Sequence, residues 1–319
     1  TIGTHNEFFG FNNHFFPQSI GQWTFANIDS FENNAPVRFD RALPLIPGGP
    51  VSDFSVNQWG LYAQDQFNLG NVALTVGLRW DDPVFPDSPT YNPTLDSITS
   101  DGALWTGGTI NTSIMPSGNA TWSPRLGFNW DVDGEGMTIV RGGVGYFSGR
   151  PAYVWMSNAY GNTGMEQTQL TCRNDNASAL DDVPVFSLDP SQQPTTCGGG
   201  SGAVQAVPTI NYFDSDFKFE QNMKLSLGID HRLPWGMVGT IDLLYTQTQN
   251  SLYIQDNNLQ GVVDESTLTY ATGEGNRARY GTNNPTNGVA AVRKQTIAFG
   301  NVLEHYNKSE DYAFSGTIQ

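Results

Sequence analysis

Apolar and polar residues alternate with period two along eight stretches of this chain. Between Asn119 and Asp131 the even positions Ala120, Trp122, Leu126, Phe128 and Trp130 are apolar. The odd positions Asn119, Thr121, Ser123, Arg125, Asn129 and Asp131 are polar. Successive side chains of a strand point to opposite faces, so this segment has one greasy face and one wet face. The same pattern predicts strands over Ile2–Asn13, Ser55–Phe67, Val72–Trp80, Met137–Phe147, Phe217–Leu233 and Met237–Gln249, with another near Ala313. The joints alternate in length. Short ones fall at Asn68–Asn71, Asp131–Gly136 and Pro234–Gly236; long ones at Phe15–Phe54, Asp81–Ser117, Gly149–Asp214 and after Asn250. About ten residues, tilted, cross a bilayer as a strand. Strands joined alternately by short and long connections predict an all-β fold, a wall of about eight strands from a transmembrane antiparallel β-barrel, with short periplasmic turns and long extracellular loops.

The charges give an independent test of the two faces. Leu74, Val76, Leu78, Leu126, Phe128, Trp130, Leu225 and Leu227 share the apolar parity and are expected to face lipid. Arg79, Arg125, Arg141, Lys224 and Asp242, with Asp230 and Arg232, share the polar parity and are expected to face the lumen. A Lys or Arg pointing into lipid at mid-bilayer costs about 2–4 kcal/mol, which a membrane wall avoids by this segregation. Asp65 breaks the rule close to a short turn, where that cost falls toward zero. Aromatic residues gather near strand ends, as girdles at the two interfaces require. A soluble β-sandwich also alternates, but joints this long are hard to place in one.

Composition narrows the picture. Hydrophobic residues make up 38% of the 319 residues and charged ones 14%. No apolar run reaches the ~18 residues of a transmembrane helix. A net charge of −16 opposes a nucleic-acid partner. Cys172 and Cys197 lie in one long joint and are the chain's two cysteines, which predicts a disulfide formed in an oxidising compartment. The histidines His5, His14, His231 and His305 have no ligand spacing, and no hydrolase, nucleotide-binding or metalloprotease motif occurs, so neither an enzyme nor a cofactor is expected. Asp131-Val-Asp-Gly-Glu-Gly136 imitates the start of a calcium loop. Gly142 stands where the closing Glu would be required, so a plain hairpin turn is expected. Acidic residues of the long joints (Asp81, Asp82, Asp87, Asp96, Asp101, Asp175, Asp181, Asp182) read as solvated loop surface. Trp105, Tyr153, Trp155 and Tyr160 are candidate ligand contacts there, with loop packing as the alternative.

Several motifs in order resemble one family. Leu61-Tyr-Ala-Gln-Asp-Gln-Phe67 with Leu74-Thr-Val-Gly-Leu-Arg-Trp-Asp81, and Ser123-Pro-Arg-Leu-Gly-Phe128 with Val140-Arg-Gly-Gly-Val-Gly-Tyr-Phe147, resemble runs of TonB-dependent outer-membrane receptors. Leu233-Pro-Trp-Gly-Met-Val-Gly-Thr240, Gly3-Thr-His-Asn-Glu-Phe8 and Trp23-Thr-Phe25 are similar to the Oar-like branch. The resemblance implies a barrel of about 22 strands closed by an internal plug, in the bacterial outer membrane. Residues 1–319 would then form part of one receptor barrel. The chain opens on Thr1 without signal-peptide character and stops within a strand-like run, so it reads as an interior piece. Plug, signal peptide and remaining strands would lie elsewhere. The implied function is uptake of a bulky nutrient or chelate, energised by TonB through that absent N-terminal region. Its partners would be outer-membrane lipid and an unnamed substrate. Passive diffusion through a porin, and surface binding or export, are the alternatives.

Overall fold

The computed structural model describes residues 1–95, 110–150, 152–173, 183–198, 207–259, 268–271, 277–280, 282–283, 290–291, 296, 298–308 and 311–319. Trp105, Asp96, Asp101, Asp175, Asp181 and Asp182 lie outside them.

The chain runs through β1 (Ile2–Thr4), β2 (Glu7–Asn13), β3 (Gln22–Thr24), α1 (Ile28–Glu32), β4 (Arg38–Pro44), β5 (Ser52–Leu69), β6 (Val72–Val84), β7 (Thr121–Asp131) and β8 (Thr138–Ser148). It continues through α2 (Tyr153–Gly161), β9 (Gln167–Arg173), β10 (Ile210–Phe213), β11 (Gln221–Arg232), β12 (Val238–Gln249) and β13 (Ser251–Asp256). Four short strands follow, β14 (Leu268–Ala271), β15 (Arg277–Tyr280), β16 (Thr282–Asn283) and β17 (Ala290–Ala291), and then β18 (Val302–Lys308) and β19 (Tyr312–Ile318). No helix among the described residues is long and apolar enough to cross a membrane.

A nine-stranded antiparallel sheet dominates, in the order β1-β5-β6-β7-β8-β11-β12-β19, with β2 also on β5. Its turns β5–β6, β7–β8 and β11–β12 are short and lie at one end; every long connection leaves from the other. No pairing among the described residues joins its outer edges, β1/β2 and β19. Strand register keeps the two faces distinct. Leu78, Leu126, Val144 and Leu225 fall on one face, and Arg79, Arg125, Lys224 and Asp242 on the other. The first predicted strand is divided in two. Across the break the register is unchanged, but the Asn6 side chain accepts the Gly60 N–H at 3.2 Å where a ladder carbonyl would otherwise stand.

The turn Asp131–Gly136 explains its own acidity. The Asp131 carboxylate accepts N–H bonds from Gly134 and Gly136, and Asp133 accepts from Glu135, Met137 and Thr138. These bonds, led by that from Met137, hold the Asp133 carboxyl below its ordinary pKa. The carboxylates are engaged in closing the turn, as a hairpin needs.

The long joints carry structure of their own that the alternation did not announce. β3, β4 and β9 form a three-stranded sheet around Phe39, Leu170 and the Cys172–Cys197 disulfide, whose Cα atoms are 5.4 Å apart. β10, β18 and β13 form another around Ile210, Phe299 and Val302. The upper end of β5 turns Phe54 and Val56 inward beneath α2, with Met156, Ala159, Tyr160, Phe213, Phe217 and Phe219 completing a core. Strand β5 therefore begins at Ser52 rather than Ser55, and β11 at Gln221 rather than Phe217, because Phe217 and Phe219 belong to that core.

Candidate functional site

The polar face of the sheet is a bench of charges arranged by register. Asp81 receives three hydrogen bonds from Arg79, at 2.6 to 3.0 Å. Arg141 binds Asp230 at 2.8 Å and Asp242 at 2.9 Å, and Thr240 donates to Asp230 at 2.7 Å. Gly228 stands between Arg141 and Asp242 in the register, and a Cβ there would come within 2.6 Å of the Asp242 carboxylate. A glycine at this position is what lets the guanidinium lie across β11 to reach both acids.

Arg125 differs from these. It sits between Gly77 of β6 and Gly145 of β8, where added Cβ atoms would meet its own Cγ at 2.9 Å and Cβ at 3.0 Å. Its guanidinium lies 5.9 Å from the Phe147 ring centroid, and the Lys224 ammonium lies 5.8 Å from the same ring. Neither cation has a carboxylate partner among the described residues.

Above Arg125 opens a cavity of about 540 Å³ on the polar face. Its floor is made by inward side chains of β5–β7, including Tyr62, Arg79 and Arg125, and its rim by Tyr146, Phe147 and Arg150 at the end of β8. Phe219 closes it from the loop side. Arg150 pairs with Glu7, which also meets His5 at 3.1 Å. On one wall Ser148 contacts Thr121 at 3.0 Å and Ser123 at 2.9 Å, while the Gln221 amide donates to the Ser123 and Ser148 oxygens. Thr121, Ser123 and Gln221 are buried.

The loop aromatics separate by burial. Tyr160 is 7% exposed, stacks on Phe54 at 4.3 Å and donates its hydroxyl to the Asp87 carbonyl. Tyr153 packs edge-on against Phe9 at 4.9 Å and donates to Gln58, and burial pushes its pKa up to about 12. Both are built into the core. Trp155, on the outward side of α2, stays exposed. Buried His305 stacks on Phe213 at 4.6 Å, and burial lowers its pKa, so it is a neutral packing residue. No group of His, Cys, Asp or Glu among the described residues could hold a metal ion.

Local pattern does not single out Arg150, Phe147 or the hydroxyl trio, nor Gln221, which donates to that trio. Arg150 lies beyond the last alternating position. The hydroxyls were counted only as polar parity. The legible signal was the pair of glycines facing Arg125 from neighbouring strands, which registers only once the hairpins are paired.

A family model described as "Outer membrane beta barrel domain" matches residues 3–311. Among solved structures, the siderophore receptor PirA from Pseudomonas aeruginosa is similar at 13% identity with a TM-score of 0.32, over 88% of this chain and 45% of that one. This chain thus spans less than half the length of that receptor. No curated protein matches. The chain belongs to the outer membrane β-barrel domain family, which places it in the bacterial outer membrane as a barrel rather than an enzyme.

Proposed function

We propose that this chain is a sector of an outer-membrane receptor barrel that takes up a bulky solute with energy supplied through TonB. The observation that carries this reading is the two-faced sheet. Its exposed apolar face, with Leu74, Val76, Leu78, Leu126, Phe128, Trp130, Leu225 and Leu227, meets lipid. Its charged face, with Arg79, Arg125, Arg141, Lys224 and Asp242, lines the lumen. The 11 residues of β7 or β8 extend about 37 Å at the usual rise, and a tilt of about 45° projects this to roughly the 25 Å apolar band of such barrels.

Open strand edges are untenable in lipid, since each unpaired backbone group costs several kcal/mol. The edges at β1/β2 and β19 therefore call for further strands, in keeping with a barrel larger than this sector. A wide barrel needs a plug to stay sealed, and the motif resemblance to TonB-dependent receptors supplies both plug and energy source. Arg79 and Arg141 are already neutralised within the wall, so they stiffen it without needing an acid from a plug.

The test is growth of cells carrying the full-length gene on candidate bulky nutrients, compared between wild type, a strain lacking TonB and cells treated with a protonophore. Uptake that collapses in both the latter supports the reading. Uptake that persists without TonB and without the proton gradient sinks it in favour of passive diffusion.

A further inference from the structure

The geometry points to an anion-binding site in the upper lumen, anchored by Arg125, that takes an aromatic carboxylate or phosphate. This inference rests on the proposed assignment of the charged face to the lumen and deepens it by naming a ligand class.

Three features converge on the cavity. The first is charge. In a chain of net charge −16 with 15 Lys and Arg in all, three arginines (Arg79, Arg125 and Arg150) line this one space. Its nearby acids, Asp81 and Glu7, are occupied by Arg79 and by Arg150 with His5. Arg125 adds a positive charge that no acid among the described residues offsets. Its fork of five N–H donors has the geometry that grips a carboxylate or phosphate with two parallel bonds.

The second feature is fixed placement. The Arg125 stem fills the space that a Cβ on Gly77 or Gly145 would need, and its guanidinium lies 5.9 Å from the Phe147 ring centroid. A stem seated in the space left by two glycines, with its guanidinium near a ring face, has less freedom to lose when a ligand arrives, which reduces the entropy cost of binding.

The third is a spare donor beside an aromatic lining. Three hydroxyls, of Thr121, Ser123 and Ser148, share two mutual contacts, and Gln221 serves two of them as donor. Three hydroxyl hydrogens set against two contacts leave at least one hydrogen unspent within the cluster. That hydrogen is free for an acceptor ligand and adds to the donors of the Arg125 guanidinium. The rings of Tyr62, Phe147 and Phe219 supply flat apolar surface beside it, which favours an anion carried on an aromatic body over a small hydrated ion.

The experiment uses the full-length receptor purified in detergent, with 1-naphthoate, 1-naphthyl phosphate and neutral 1-naphthamide as calorimetric probes. Saturable binding of at least one anion is expected, with no binding of the amide. Weakening by tenfold or more is expected in R125Q and none in R173Q, a cation removed outside the cavity. The two anions distinguish a carboxylate site from a phosphate site. Wild-type affinity must also fall as sodium chloride rises from 0.1 to 1 M, a readout that stands even if R125Q does not fold. Three results would overturn the site: no saturable binding of either anion, equal binding of the amide, or R125Q lowering the melting temperature while leaving anion binding unchanged. The last would give Arg125 an acidic protein partner instead. Binding here needs no energy source, so a failed anion site leaves TonB-driven uptake of a neutral cargo intact. Failed energised uptake likewise leaves the site standing.

Discussion

Leu126 is the position at which the membrane assignment can be tested most sharply. It lies at the middle of β7, five residues from each end, between Val76 and Val144 on the apolar face. Its side chain is 47% exposed in the isolated sheet. If water covered that face, Leu126→Arg would be a surface change within about ±0.5 kcal/mol. If lipid covers it, the guanidinium is placed at mid-bilayer and costs about 2–4 kcal/mol. At 1.36 kcal/mol per decade that is roughly a 30- to 900-fold loss in the folding equilibrium. Thr75→Arg is the matched control: it lies at the same depth, opposite Gly127, on the charged face. The assay is reversible denaturant unfolding of the full-length protein in lipid vesicles, followed by tryptophan fluorescence. The reasoning fails if Leu126→Arg costs less than about 0.5 kcal/mol, or no more than Thr75→Arg does.

Other consequences concern the charged face, the turns and the loops. Gly228→Val would drive a side chain into Asp242 and Arg141, splitting their ion pairs, and should destabilise by about 1–3 kcal/mol in the same unfolding assay, whereas Gly127→Val, where a Cβ meets only a carbonyl at 3.8 Å, should cost less. Replacing both Cys172 and Cys197 by Ser reopens a 25-residue separation worth roughly 3–4 kcal/mol of loop-closure entropy; faster proteolysis is expected in the β3-β4-β9 sheet, with hydrogen exchange of β7 and β8 unchanged. Asp133 has a lowered pKa in the folded turn, so its contribution is complete above the ordinary carboxylate range and is lost as pH falls through the folded value. Amide protection at Met137 and Thr138 should hold from neutral pH down through that range and decline below it, and Asp133→Asn should lower protection at neutral pH.

How far the fold could be read from the chain depended on what surrounds each segment. In a membrane barrel wall, lipid on one side and a polar lumen on the other impose one rule on every strand. Alternation therefore located the strands from the second to the seventh and assigned Arg79, Arg125, Arg141 and Lys224 to one face. Beyond the membrane no such rule operates. The pairing of β4 with β9, and the packing of α2 over β5, depend on partners more than a hundred residues away in sequence, which local pattern does not register. The cavity lies at the boundary of the two regimes. Its floor was visible as charged parity, whereas its roof, Phe219, and its rim, Arg150, come from segments whose position is set by tertiary contact.

The places where the strand readings stopped short carry information about depth. Alternation ended the second strand at Ser55, yet hydrogen bonding continues to Ser52. What changes there is the sign of the pattern: Phe54 and Val56 share their parity with Gln58, Gly60 and Tyr62, but they are apolar and buried. The third strand behaves alike. It continues past Trp80 to Val84, and the next residue, Phe85, enters the same inward core. A wall strand has apolar residues outward while lipid is outside, and inward once water is outside and loops fill the lumen. On the proposed lipid and lumen assignment, the sign change marks the height at which the strand leaves the bilayer. On β5 it falls between Val56 and Trp59. Trp80, paired with Leu61 and Trp122, lies at nearly the same level, where an aromatic girdle is required. If lipid covers the apolar face as proposed, two signals that do not depend on each other, reversal of parity and clustering of tryptophan, put the outer membrane surface at one height. Arg79 and Ser123 pair at that level, and the cavity above Arg125 opens there, where the proposed anion site would meet a solute arriving from outside.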